Sequence, residues 1–141
     1  MPEDQPDNST SAILYSRWSR YCVGSLFALS ALWGGLQIAF PDSTGLYLLF
    51  AFMFALSATF WARYDSLSRG KPILPILQML YFLLWPVGAT IYLVTRSGWR
   101  GFATAFLYGG GMLILMGITF YATFYGLHFT GLLDARYYQP Q

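Results

Sequence analysis

Charge is the scarcest property of this chain. Aspartate, glutamate, lysine and arginine make up 10% of its 141 residues, against roughly 25% in soluble domains. Hydrophobic residues make up 56%, and so few charges could not cover such a core in water. An ordinary soluble domain is excluded. The net charge of +2 is too small to imply a nucleic-acid partner. Cysteine is almost absent too: Cys22 stands alone, so no disulfide forms within the chain, and it reads as a small helix-packing residue.

Groups suited to catalysis or metal binding are equally scarce. His128 is the sole histidine, with no cysteine pair or carboxylate cluster near it, and one histidine does not build a metal site. Its place near the end of an apolar run suits a headgroup or backbone hydrogen bond better than lone axial ligation of a pigment. His128 and Asp134 are close in sequence, but no hydroxyl stands in a nucleophile motif. No catalytic residue, no enzyme activity, no metal and no cofactor is expected. No acidic residue lies inside a long apolar run, and ion-coupled transporters usually keep one there.

What the chain has instead is four uncharged stretches: Tyr21 to Pro41, Ser43 to Ala62, Pro72 to Thr95 and Gly101 to Leu133. Each is about 20 residues or longer, the length an apolar helix needs to cross a bilayer core. The expectation is an all-α integral membrane protein with four transmembrane helices, at about 21–40, 44–62, 73–95 and 102–127. They form one membrane domain over 9–129, after a disordered tail at 1–8 and before a short C-terminal tail at 130–141. The acidic start (Glu3, Asp4, Asp7) and the length of the first run predict a retained anchor rather than a cleaved signal. A serine or threonine at 9–11 would cap a short helix. Trp18 among Arg17 and Arg20 suits the headgroup zone.

The first two stretches carry small residues at matching intervals: Gly24, Ala28, Ala31 and Gly35, then Ala51, Ala55, Ala58 and Ala62. Steps of four, three and four lie along one helical face. Such faces allow close backbone approach in lipid. The short link Pro41-Asp42-Ser43 makes the two helices antiparallel neighbours, and the expectation is that the two stripes face each other.

The third stretch is ambiguous. Trp85, Pro86 and Gly88 form a hinge near its middle, because Pro86 lacks a backbone donor and clashes with the preceding turn. As one kinked helix it leaves Arg17, Arg20, Arg63, Arg69, Lys71 and Arg136 on one side and Arg96 and Arg100 on the other, six against two. As a re-entrant hairpin it places seven basic residues on one side and Arg136 alone on the other. Basic residues favour the cytoplasm, so charge slightly favours the hairpin. The need to satisfy backbone groups at membrane depth favours a continuous helix. The kinked span is the expectation and the hairpin its alternative. Both place the N-terminus in the cytoplasm, in the cell (inner) membrane.

Gln37, Gln78, Thr90 and Thr119 lie within the stretches and read as helix-to-helix hydrogen-bonding residues. Phe120, Tyr121, Phe124 and Tyr125 read as lipid-facing anchors. The segments Ser68-Arg69-Gly70-Lys71-Pro72 and Arg96-Ser97-Gly98-Trp99-Arg100-Gly101 place basic side chains beside flexible glycines. Arg69, Lys71, Arg96, Trp99 and Arg100 are therefore candidates for anionic lipid headgroups, with orientation by positive charge as the plainer reading. With Leu84-Trp85-Pro86 and Ile91-Tyr92-Leu93 between them, these segments resemble a pattern in small uncharacterised bacterial multi-pass membrane proteins. That pattern runs basic-Gly-basic-Pro, an apolar stretch, Trp-Pro, Tyr-Leu, then Arg-Gly. The resemblance covers about Trp61 to Gly101 and implies no chemistry. The function expected is a non-enzymatic module that packs with other membrane subunits or itself. The alternative is an anionic-lipid-binding or small-molecule transport protein acting as an oligomer. Membrane lipids are the partners expected in either case.

Overall fold

The computed structural model describes residues 8–70 and 73–131. The described chain is helical: α1 (Asn8–Ala39), α2 (Thr44–Ser68), α3 (Pro75–Leu83), α4 (Trp85–Ser97) and α5 (Trp99–Phe129). Among the described residues three helices, not four, are long and apolar enough to cross a membrane: α1 from Thr10, α2 and α5. Helices suit that solvent because every interior backbone donor and acceptor is paired within the segment. α1 begins at Asn8, well before the expected Tyr21, so the short helix expected after residues 9–11 and the first span are one rod. Of the disordered tail expected at 1–8, Asn8 instead opens α1, and residues 1–7 lie outside the described residues, as do Lys71, Pro72 and residues 132–141.

The α1–α2 turn occupies Phe40 to Ser43. Ser43 caps α2, its Oγ accepting from the Leu46 N–H at 3.4 Å. α1 and α2 then run antiparallel. Trp33 meets Tyr47 and Phe50 near the turn, while Tyr15 and Trp18 meet Tyr64 at the far end. α5 packs along another side of α1 and runs parallel to it. Phe27 lies by Tyr108 and Gly111, and Gly35 by Thr123. α2 and α5 both contact α1 but not each other. α1 is the spine, and a gap separates the two outer helices.

The third stretch does not form one helix. It breaks at Leu84 (φ −116°, ψ 42°). At about 1.5 Å per residue, α3 and α4 span only about 14 Å and 20 Å, short of the roughly 30 Å core. The chain folds back at the break. A Cβ on Gly88 would lie 3.0 Å from the Tyr81 Cα, although seven residues of straight helix separate two positions by about 10 Å. The path confirms it. Ile73 packs on the Trp61–Ala62–Tyr92 cluster, Phe82 meets Phe52 in the half of α2 nearer Thr44, and Tyr92 is back at that same cluster. Of the two forms considered for this stretch, the hairpin is the one that forms. The hinge lies one residue earlier than expected. Trp85 and Pro86 open α4, where a missing N–H leaves no helical bond unmade, and buried Gly88 provides the close approach to Tyr81.

α4 joins α5 through Gly98 alone, at φ +56°, a region glycine occupies without the Cβ penalty. Gly101 follows against the Leu93 carbonyl, so close that a Cβ would overlap it. The two glycines of the Arg-Ser-Gly-Trp-Arg-Gly segment are therefore turn and contact residues.

The small-residue stripes are not paired as expected. On α2, Ala55, Ala58 and Ala62 are buried and Ala51 is half-buried. On α1, Ala28 is exposed, Ala31 half-buried, and a Cβ at Gly24 would meet nothing within 4 Å; Gly35 faces Thr123 of α5. The closest approach on α1 is at Gly34, where a Cβ would collide with the Met116 carbonyl and Thr119 Oγ1 of α5. Spacing selected a face of α1 on which Gly24 and Ala28 are exposed, while the closest approach of α1 is to α5 rather than α2.

Candidate functional site

Two features stand out in this fold, and both follow from the hairpin. The first is a polar cluster at the end where α2 finishes and α4 returns. Asp65 is one helical turn beyond buried Trp61 on α2. Its Oδ2 accepts from the Tyr92 hydroxyl at 2.8 Å and lies 3.8 Å from Arg96 Nε. Its Oδ1 accepts from Arg69 Nε at 3.3 Å and from a second Arg69 nitrogen at 3.1 Å. Arg96 also donates to the Tyr92 oxygen and places its guanidinium over the Tyr92 ring, 5.3 Å from the centroid. One carboxylate thus gathers two arginines and a phenol from α2 and α4. The Arg96 side chain is 16% exposed and that of Arg69 55%, so the inner pair holds the hairpin while Arg69 faces outward. Tyr92 lies on α4, outside the three long helices. Burial, then its bond to Asp65, raises its phenol above the usual range, which keeps the donating proton in place.

Of the five headgroup candidates, Arg69 and Arg96 are brought together by Asp65. Arg100 is exposed, and Trp99 is 80% exposed and stacked on Phe102. Lys71 lies outside the described residues. Tyr15 and Trp18 lie against Tyr64, so Arg17, Arg20 and Arg63 belong to the same end. Six arginines therefore share one end of the bundle among the described residues, and Asp42 lies at the other. Sequence reasoning missed Asp65 as an organiser because the second helix was expected to end near residue 62, whereas α2 continues to Ser68. The signal was there: Asp65 and Arg69 are four apart, a spacing that pairs on a helix.

The second feature is a cleft of about 510 Å³ in the gap between α2 and α5. Leu26 and Trp33 of α1 form its floor. Phe50 and Ala58 of α2 and Met112 and Met116 of α5 are its walls, and Ala89 and Leu93 of α4 line the end nearest the arginines. The cleft exists because the hairpin reaches only partway and leaves the remaining gap between the outer helices unfilled. Its serine and threonine hydroxyls are already used: Ser30 donates to the Leu26 carbonyl at 2.9 Å and Thr90 to the Pro86 carbonyl at 2.9 Å. Outside the cleft lining, Thr119 donates to the Leu115 carbonyl at 3.0 Å. Thr90 and Thr119 were expected to bond between helices; they bond within their own, a common arrangement for hydroxyls on spanning helices. Gln37 is exposed and Gln78 half-buried. His128 is exposed at the end of α5, its ring stacked against Phe124. Tyr121, Phe124 and Tyr125 face outward and Phe120 is half-buried.

Compared with family models, curated proteins and solved structures, the chain matches none.

Proposed function

We propose that this chain is a small non-enzymatic protein of the bacterial cell (inner) membrane that binds anionic lipid at its arginine-rich end. In this reading α1, α2 and α5 span the bilayer, and α3–α4 is a re-entrant hairpin entered and left from the cytoplasm. The N-terminus is cytoplasmic. The observation that carries the reading is that the fold-back of α3–α4 brings Arg96 and Arg100 to the end that already holds Arg17, Arg20, Arg63 and Arg69. Each basic residue near an anionic surface adds about 1 kcal/mol of attraction, so exposed Arg17, Arg20, Arg63 and Arg100 together supply a substantial pull. Fold-back supports this end as the cytoplasmic one, because basic residues are retained there.

The other reading is a module that packs against membrane subunits or a second copy. It draws on the outward apolar side chains of the long helices. That surface is what lipid contact demands of any spanning helix, so it favours no particular partner. The experiment is direct. Purified in mild detergent from membranes containing phosphatidylglycerol, the protein retains that lipid. Replacing Arg17, Arg20, Arg63 and Arg100 together by glutamine lowers retention at least tenfold while leaving the Asp65 cluster intact. Unchanged retention would reduce the arginines to orientation signals and overturn the reading.

A further inference from the structure

The cleft between α2 and α5 has no part in that reading, yet the fold leaves it open at the depth of the spanning helices. We infer that it takes one acyl chain of an anionic phospholipid whose headgroup lies on the arginine-rich end. The headgroup half of this inference rests on the function proposed above; the chain half does not.

Four observations support it. The volume of about 510 Å³ falls within the roughly 300–1,000 Å³ of small-molecule pockets. The walls are mainly apolar and the serine and threonine hydroxyls on them are bonded to their own helices, so the side-chain polar groups left to a guest are the few on Trp33, Tyr47, Trp61 and Tyr108. Water is disfavoured for the same reason, since a bound water wants two to four polar neighbours. An alkyl chain asks for none. Met112 and Met116 line one wall, and the unbranched, polarizable methionine side chain adapts to a guest of variable shape.

The fourth observation fixes which chain. The cleft ends at Leu93 and Trp61. Arg96 is three residues beyond Leu93 on α4, and Asp65 four beyond Trp61 on α2. The near end of the cleft is therefore about one helical turn from the polar cluster. Two arginines meet one carboxylate there, and exposed Arg100 adds to the excess of positive charge. A chain lying in the cleft from the arginine end would leave its phosphate beside that excess. An opposite-leaflet lipid would place its phosphate at the end carrying Asp42.

Gly109 allows a clean test. It lines the cleft, and a Cβ added there meets nothing within 4 Å, so Gly109→Phe introduces a bulky side chain at the cleft with no clash at its Cβ. Ala51→Leu fills it from the opposite wall. The wild type and both variants are purified in mild detergent with phosphatidylglycerol or phosphatidylcholine, and bound lipid is counted by native mass spectrometry. A phosphatidylglycerol carrying a photoreactive group in mid-chain reports position. The wild type should hold one phosphatidylglycerol per chain and cross-link at Met112 or Met116. Both variants should lose that lipid at least tenfold while their thermal unfolding is unchanged. Phosphatidylcholine should be held at least tenfold less. Phosphatidylglycerol retention that neither variant alters would overturn the chain site and leave the reading of the arginine end standing. Equal retention of the two lipids, lost in both variants, would overturn the anionic headgroup and that reading, while keeping the chain site. A lipid-free dimer disrupted by Gly109→Phe would overturn the inference in favour of a second copy.

Discussion

At the arginine-rich end, Asp65, Arg69, Tyr92 and Arg96 tie α2 to α4 through side chains from positions far apart in sequence. At the opposite end, α1 meets α5 through backbone approach at Gly34 and Gly35, and nothing joins α2 to α5. One end is held by a polar network, the other by small residues. The hairpin accounts for the difference. Because it returns to the end it entered from, it brings a second set of polar residues to that end and brings none to the other.

That contrast can be broken most strongly at its centre. Asp65→Ala leaves Arg96 without its carboxylate and Tyr92 without its acceptor. Removing one partner of a buried pair costs about 3–5 kcal/mol. Since the pair is partly exposed, a loss of about 3 kcal/mol is expected from unfolding in mixed detergent micelles. Asp42→Ala, at the other end, should change stability by less than about 0.5 kcal/mol. An equal effect of the two would erase the distinction between the ends.

The small-residue end is tested by Gly34→Val, which forces α1 from α5 where a Cβ already collides with Met116. Overpacking of this kind costs about 1–3 kcal/mol. Gly24→Val, in open space, should be nearly silent in the same assay. The reverse ranking would restore the stripe that the sequence spacing suggested. Tyr92→Phe removes one hydroxyl bonded to a charged group and should cost about 1.5–3 kcal/mol; the open side of the cluster puts it near the lower figure. Arg69→Gln is the smallest effect. Its side chain is 55% exposed, and exposed ion pairs are worth about 0–1 kcal/mol.

Much of this fold was legible in the residues. The absence of charge marked the long helices, and the short Pro41–Ser43 link marked α1 and α2 as antiparallel neighbours. Counting basic residues pointed, by one arginine pair, toward the hairpin. The backbone argument pointed the other way because it treated the backbone groups of the turn as unpaired. The side chains at its turn, Leu83, Leu84 and Val87, are exposed, but the Gly88 N–H bonds the Leu84 carbonyl at 2.6 Å, so the turn pairs backbone groups locally without cover from neighbouring helices. The stripe on α2 was legible as a buried face, whereas the one on α1 was not. Spacing identifies a face but not what lies opposite it, and the partner of Gly34 and Gly35 is some 80 residues along the chain. Asp65 was legible only as half of a local pair with Arg69; Tyr92 enters through the hairpin, a long-range event no local pattern announces. The cleft had no sequence signal, because it is defined by where the hairpin stops.

The fold-back is the central claim, and Cys22 is the only native cysteine, so its replacement by alanine gives a clean background for labelling. Ser97→Cys and Ser43→Cys, both at exposed positions, are treated in intact cells with a membrane-impermeant thiol reagent. With α3–α4 returning to the side it entered, position 43 is labelled from outside and position 97 only after the membrane is opened. Labelling of both from outside would mean that residues 73–97 cross the bilayer, and would contradict the account.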